Sequence, residues 1–244
     1  ENLYSLKSDN RASALFTDVT YNFSDQWALT LGARYSAEEA YGIIDIEEFS
    51  NVLFATFLGV NANDFIKFDD SWNSFTPRVV LGYKPTDESK VYLSVAQGFK
   101  AGQVSPSSLS AVTVEPEEIT AYELGYKISD PSYRFDVSAF YYDYKDMQMA
   151  TYNGVAAIAT NAATSSIYGA ETQLYTLVGD SLTANIGLAY VRGEYDDYPT
   201  APFWVGGTSE LLPGESLKFF GQTFEAVERD AEGNQMQRSP KVTG

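Results

Sequence analysis

The stretch "WALTLGARYS" (27–36) alternates without a break. Trp27, Leu29, Leu31, Ala33 and Tyr35 fall on one parity, and Ala28, Thr30, Gly32, Arg34 and Ser36 on the other. Side chains of a β-strand point to opposite faces with period two, so this is a strand with one apolar face. Trp27 and Tyr35 stand at the two ends of that face. At roughly 3.3 Å per residue they lie about 26 Å apart along the strand, or about 20 Å in height at a tilt of roughly 40°. Aromatic residues edge the apolar band of a transmembrane β-barrel at such a separation. A sandwich strand with aromatic ends shows the same alternation, so one strand alone leaves lipid and a soluble core both open.

The pattern recurs. "SALFTDVTYNF" (13–23), "SFTPRVVLGYK" (74–84), "KVYLSVAQGFK" (90–100), "TAYELGYKI" (120–128), "YRFDVSAFYYDYKDM" (133–147), "SIYGAETQLYT" (166–176) and "SLTANIGLAYV" (181–191) bring the number of expected strands to eight. Val91, Leu93, Val137 and Leu188 belong on the apolar side with Leu29 and Leu31, and Glu123 and Asp136 on the other side with Arg34. The connections decide between the readings. "SDQ" (24–26), "PTDES" (85–89), "SDPS" (129–132) and "GD" (179–180) are short and rich in turn residues. They alternate strictly with long connections at 41–71, 101–116, 152–163 and 196–236. Outer-membrane barrels place short turns at one end and long loops at the other. A sandwich or propeller has no reason to do so. The second face carries Asp18, Arg34, Arg78, Glu123, Lys127, Arg134, Asp136 and Glu171. In a closed soluble core these charges would lack water and mostly lack partners. The expectation is an all-β, antiparallel transmembrane β-barrel whose apolar face meets lipid.

Composition narrows the chemistry. There are 33 acidic and 16 basic residues, a net charge of −17, which argues against a nucleic-acid partner. The sequence has no Cys and no His, which removes disulfides, thiol nucleophiles, imidazole triads and His or Cys metal sites. No apolar run approaches the roughly 18 residues of a transmembrane helix, which says nothing about barrel strands.

Several segments resemble one family in order and spacing: "ALFTDVTYNFSDQWALTLGARYSAEE" (14–39), "FTPRVVLGYKPTDESKVYLSVAQGFKAG" (75–102), "EPEEITAYELGYK" (115–127), "FDVSAFYYDYKDMQM" (135–149) and "IYGAETQL" (167–174). Together they resemble the barrel of TonB-dependent outer-membrane receptors. The resemblance covers most of 11–195 and is poor in the long connections. It implies a 22-stranded barrel around an N-terminal plug, of which the eight strands, and a ninth beginning at "RSPKVTG" (238–244), are a part. On that reading 1–244 is a partial barrel domain, a fragment without plug, TonB box, early strands or last strand, and its exposed edges would make it aggregate alone. An independent eight-stranded barrel is the competing geometry.

The resemblance further implies active import of a scarce, bulky nutrient, most often a ferric siderophore, powered by TonB through the plug. It implies no covalent chemistry, no cofactor, and a place in the bacterial outer membrane. A passive pore or structural barrel without a plug is the alternative, and a soluble all-β enzyme or carbohydrate-binding domain a distant third. Loop residues suited to a ligand mouth are Phe49, Asp69, Asp70 and Trp72 in 41–72, and Tyr195, Asp196, Asp197, Phe203 and Trp204 in 194–207, because ligand sites combine aromatic walls with a few polar groups. The bland reading is that the acids solvate the loops and the aromatics pack them. Asp69-Asp70 or Asp196-Asp197 as Ca²⁺ ligands lack EF-hand spacing, and paired carboxylates for glycoside hydrolysis cannot be recognised from sequence. Arg34, Arg78, Glu123, Arg134, Asp136 and Glu171 are expected to line the lumen and pair with one another or with the plug. "NVLFATFLGV" (51–60) has near-helical apolar spacing and predicts a short loop helix.

Overall fold

The computed structural model describes residues 2–49, 64–105, 112–152, 157–179, 181–207, 216–219, 222–236 and 242–243. The segment expected to form a loop helix, 51–60, lies outside them. The described elements are strands: β1 (Asn2–Asn22), β2 (Trp27–Phe49), β3 (Asp64–Thr86), β4 (Ser89–Lys100), β5 (Gln103–Ser105), β6 (Val112–Val114), β7 (Glu117–Ser129), β8 (Tyr133–Tyr152), β9 (Ala157–Val178), β10 (Leu182–Asp197), β11 (Ala201–Gly207), β12 (Ser216–Phe219), β13 (Gln222–Arg229) and β14 (Val242–Thr243). Nine of them form one antiparallel sheet in the order β1-β2-β3-β4-β7-β8-β9-β10-β14. Each of the eight expected strands is present, and the ninth pairs with β10 through Tyr190–Val242 and Ala189–Thr243. Among the described residues β1 and β14 do not pair, so the sheet is open.

The register explains the two faces. Leu31 stands opposite Val19 and Val79, and Leu29 opposite Tyr21 and Leu81. Leu93 meets Leu81 and Leu124, Val91 meets Tyr83 and Tyr126, and Val137 meets Tyr126 and Thr172, which also faces Leu188. Directly opposed residues share a face, so these rows make one apolar surface across the sheet. It is uncovered: Leu15 is 79% exposed, Leu31 50% and Leu188 57%. The core of this chain is not beneath that face. Arg34, Arg78, Glu123, Asp136 and Glu171 all take the other parity, as the alternation requires.

The short connections are tight turns. The hydroxyl of Ser24 accepts from the amides of Gln26 and Trp27, at 3.3 and 3.0 Å. The Asp130 carboxylate accepts from the Ser132 amide at 2.9 Å. Gly179 adopts φ +66°, a conformation that costs glycine nothing.

The long connections hold more regular structure than their composition suggests. In 41–71, β2 continues to Phe49 and β3 starts at Asp64, with pairing unbroken through Ile46–Asp64. Strand β1 follows alongside as far as Asn2–Phe49. Polar residues occupy both faces there, which hides the alternation. A strand of 23 residues spans about 76 Å, against an apolar band of about 25 Å, so these hairpins run far beyond the band. Within 101–116 lies the small hairpin β5-β6, β9 begins at Ala157 inside 152–163, and 196–236 carries a three-stranded sheet, β11-β13-β12.

Candidate polar-face site

Two cavities on the polar face hold expected site residues. The first, of about 510 Å³, lies between β4 and β10 and is lined by Tyr92, Glu123, Lys127, Asp136, Ser138 and Glu171 among others. Tyr92 donates its hydroxyl hydrogen to Glu123, and Lys127 Nζ sits 5.7 Å from the centre of the Tyr92 ring. Ser138 donates to Glu171 at 3.4 Å. Register builds the cluster: Lys127 faces Asp136, and Ser138 faces Gly125 and Glu171. Three carboxylates against one ammonium leave an acidic patch, suited to a cationic or hydrogen-donating partner. Tyr92 is the member that the alternation does not single out. Its signal is the glycine opposite: a side chain on Gly125 would run into the Tyr92 ring. The same arrangement recurs where Phe140 faces Gly169 and stacks on Tyr142 at 4.8 Å.

The remaining expected lumen residues are dispersed. Arg34 donates to Ser36 at 3.0 Å. Arg78 pairs with Asp18 at 3.5 Å across Gly32, where a Cβ would come within 2.8 Å of the Asp18 carboxylate. Arg134 lies by the turn near Asp130, Tyr133 and Tyr175. Arg34, Arg78 and Arg134 therefore do not join the carboxylate cluster.

The second cavity, of about 390 Å³, lies farther along β1, β2 and β3 and is lined by Glu38, Phe68, Trp72 and Gly102 among others. Trp72 is buried, at 7% exposure. Asp69 and Asp70 precede it in sequence and point to opposite faces, as neighbours on a strand must, so the pair cannot chelate one ion together. Asp70 accepts from the Ser71 amide at 2.8 Å. Glu38, opposite Trp72 in the register, is the residue the sequence reading misses.

Tyr195, Asp196, Asp197 and Phe203 are at a different place. Tyr195 packs edge-on to Tyr198 at 5.2 Å, in a small core with Met147, Ala163, Ala201 and Ala231, and Phe203 lies against it. Here the aromatics pack Ala201 and Ala231 against Met147 and Ala163 of the sheet. Asp196 accepts from Ser166 at 3.0 Å. Burial pushes the Tyr198 phenol above its ordinary pKa. The backbones of Phe49 and Trp204 pair with Asn2 and Ala226; their side chains lie outside the description. Among the described residues no three acidic side chains gather as a metal site.

The chain resembles known proteins along its whole length. It matches the family described as TonB dependent receptor-like, beta-barrel over residues 2–244. The pesticin receptor of Yersinia pestis is 26% identical over 211 residues, which is 84% of this chain and 28% of that protein. The crystal structure of the ferric yersiniabactin uptake receptor from Yersinia pestis superposes with a TM-score of 0.67 at 21% identity, over 79% of this chain and 28% of that one. A siderophore receptor from Acinetobacter baumannii superposes with a TM-score of 0.62 at 17% identity, over 97% and 30%. The chain thus spans under a third of the length of these relatives. These proteins are named as receptors rather than enzymes, and the match from end to end places this chain in the TonB-dependent receptor-like β-barrel family.

Proposed function

We propose that the chain is the barrel portion of a longer bacterial outer-membrane receptor that binds and imports a scarce nutrient, a ferric siderophore, with energy delivered by TonB through a plug domain. The carrying observation is the uncovered apolar surface of the nine-stranded sheet, backed by a polar face, in a chain of this family. An apolar surface of that extent needs lipid around it, and a charged opposite face needs water and partners. The polar face is the lumen on this reading, and its Glu123, Asp136 and Glu171 face the plug. The relatives named above for siderophores and yersiniabactin support the ligand class.

A growth test decides it. Deletion of the gene should abolish growth on iron supplied only as one ferric siderophore from a panel, and the intact gene should restore it only in cells with TonB. Growth that persists on every siderophore, or restoration without TonB, would sink the import reading.

A further inference from the structure

Glu115 and Pro116 interrupt the strand ladders. Strand β6 stops at Val114 and β7 starts at Glu117, and proline has no amide hydrogen to give a neighbour. A peptide group left out of a ladder needs partners elsewhere. One side chain serves both halves of Glu115. Asn161 of β9 accepts from its amide at 2.7 Å and donates to its carbonyl at 2.9 Å. The other amide hydrogen of Asn161 goes to the Asp146 carbonyl, at 2.7 Å. Asp146 stands at φ +51°, where β8 bulges between Tyr144 and Gln148 and leaves it without a partner on β9.

Gln148 faces Asn161 across the β8–β9 ladder and reaches the other end of the same connection. It donates to the carbonyls of Ala101 and Glu115, at 2.7 and 3.0 Å, and accepts from Gln103 at 3.4 Å. Its backbone amide donates to the Glu117 carboxylate at 2.9 Å. Val114, beside Glu115, is fully buried, and β6 lies against β9. Residues 101–104 and 113–117 are thus tied to one pair of strands. Most of these ties run through side chains, so strand parity does not foretell them. Their consequence reaches Trp72: Gly102 lies so close to its indole that a Cβ at 102 would meet the ring.

We infer that Asn161 is a positioning residue of the receptor's mouth. Through the Glu115 peptide that it shares with Gln148, it makes 101–104 and 113–117 part of the barrel wall and keeps Gly102 against Trp72. These ends move with β8 and β9 as one body. The inference deepens the import reading and rests on it.

Two variants separate the bonds from the shape. N161A removes every bond. N161D keeps the size and the bond from the Glu115 amide, but loses both donations and sets a carboxylate against two carbonyls. A residue that only fills space would tolerate N161D. Nitroxides at Thr113 and Ser132 of the full-length receptor in detergent report the distance from β6 to the far turn by pulsed dipolar spectroscopy. Wild type should give one narrow distribution, and both variants a broad one. Iron-55 uptake, on the siderophore that restores growth in the panel above, should then need about tenfold more substrate for half-saturation in both variants, at an unchanged maximal rate. A broad distribution in wild type, narrow ones in both variants, or N161D indistinguishable from wild type overturns the role. So does an unchanged half-saturation, including a fall in maximal rate alone, which marks fewer folded receptors. If no siderophore supports growth, the import reading fails by itself, and the distances still decide whether Asn161 holds these ends to the wall.

Discussion

Tyr92 and Gly125 face each other across β4 and β7, and the tyrosine ring fills the space that a side chain at 125 would need. From that position the hydroxyl reaches Glu123, two residues from the glycine in sequence and so on the same face. An aromatic laid over a glycine restores the packing the glycine lacks. One missing side chain thereby orders an acid, a phenol and the neighbouring Lys127 on the polar face.

Gly125→Ala should displace the ring and destabilise the sheet by about 1–3 kcal/mol, as overpacking does. Urea unfolding of the receptor in detergent measures it. In a cycle with Tyr92→Ala, the coupling between the two sites should reach at least about 0.5 kcal/mol, because the clash vanishes with the ring. Additive effects would mean that the ring does not rest on the glycine.

Leu31→Arg places a charge on the apolar face and should cost about 2–4 kcal/mol if the position lies near the bilayer midplane. Ser94→Arg, on the opposite face beside Glu123, should cost far less. Equal costs in refolding titrations into lipid vesicles would contradict the assignment of faces.

Gln148→Ala removes the side chain that ties the Ala101 carbonyl to the Glu115 carbonyl. Limited proteolysis at 101–105 and 112–116 should quicken by about tenfold, the worth of one to two net hydrogen bonds. Cleavage at the 23–26 turn, held by Ser24, should not change.

Burial of Tyr198 makes its ionisation harder in the folded chain than in the unfolded one. The unfolded form then loses its proton first as pH rises. Its contribution to stability is complete below the ordinary phenol pKa of about 10 and is lost above it. The cluster around Tyr198 should therefore loosen at high pH, read as faster hydrogen exchange at Tyr195 and Ala231. In Tyr198→Phe this alkaline component should shrink.

Much of the sheet was legible because strand parity is a strict rule: a one-residue slip would have put Leu31 beside Arg78. The outer halves of β2 and β3 were not legible. Residues such as Glu38, Glu39, Lys67 and Asp69 place polar groups on both faces, so alternation vanishes although pairing continues. The candidate site was legible in part. Glu123, Asp136 and Glu171 cluster as their shared parity suggests, whereas Arg34, Arg78 and Arg134 stay apart, since parity fixes the face and not the neighbour. Tyr195 and Phe203, read from sequence as mouth residues, lie in a cluster with Met147 and Ala231, residues far away in the sequence that no local pattern encodes. Glu38 escaped notice because its place is set by being opposite Trp72 across β2 and β3.

The central claim is that the apolar face touches lipid and the polar face touches water. The sequence contains no cysteine, so single cysteines can be placed at will. Fluorophores would be attached at Leu31, Leu93 and Leu188, and separately at Arg34, Glu123 and Glu171, in the receptor reconstituted into bilayers. Brominated acyl chains should quench the first set, and aqueous iodide should leave it untouched. The second set should escape the brominated lipid. Quenching of Glu123 and Glu171 by brominated lipid, with iodide reaching Leu31 and Leu93, would contradict the account.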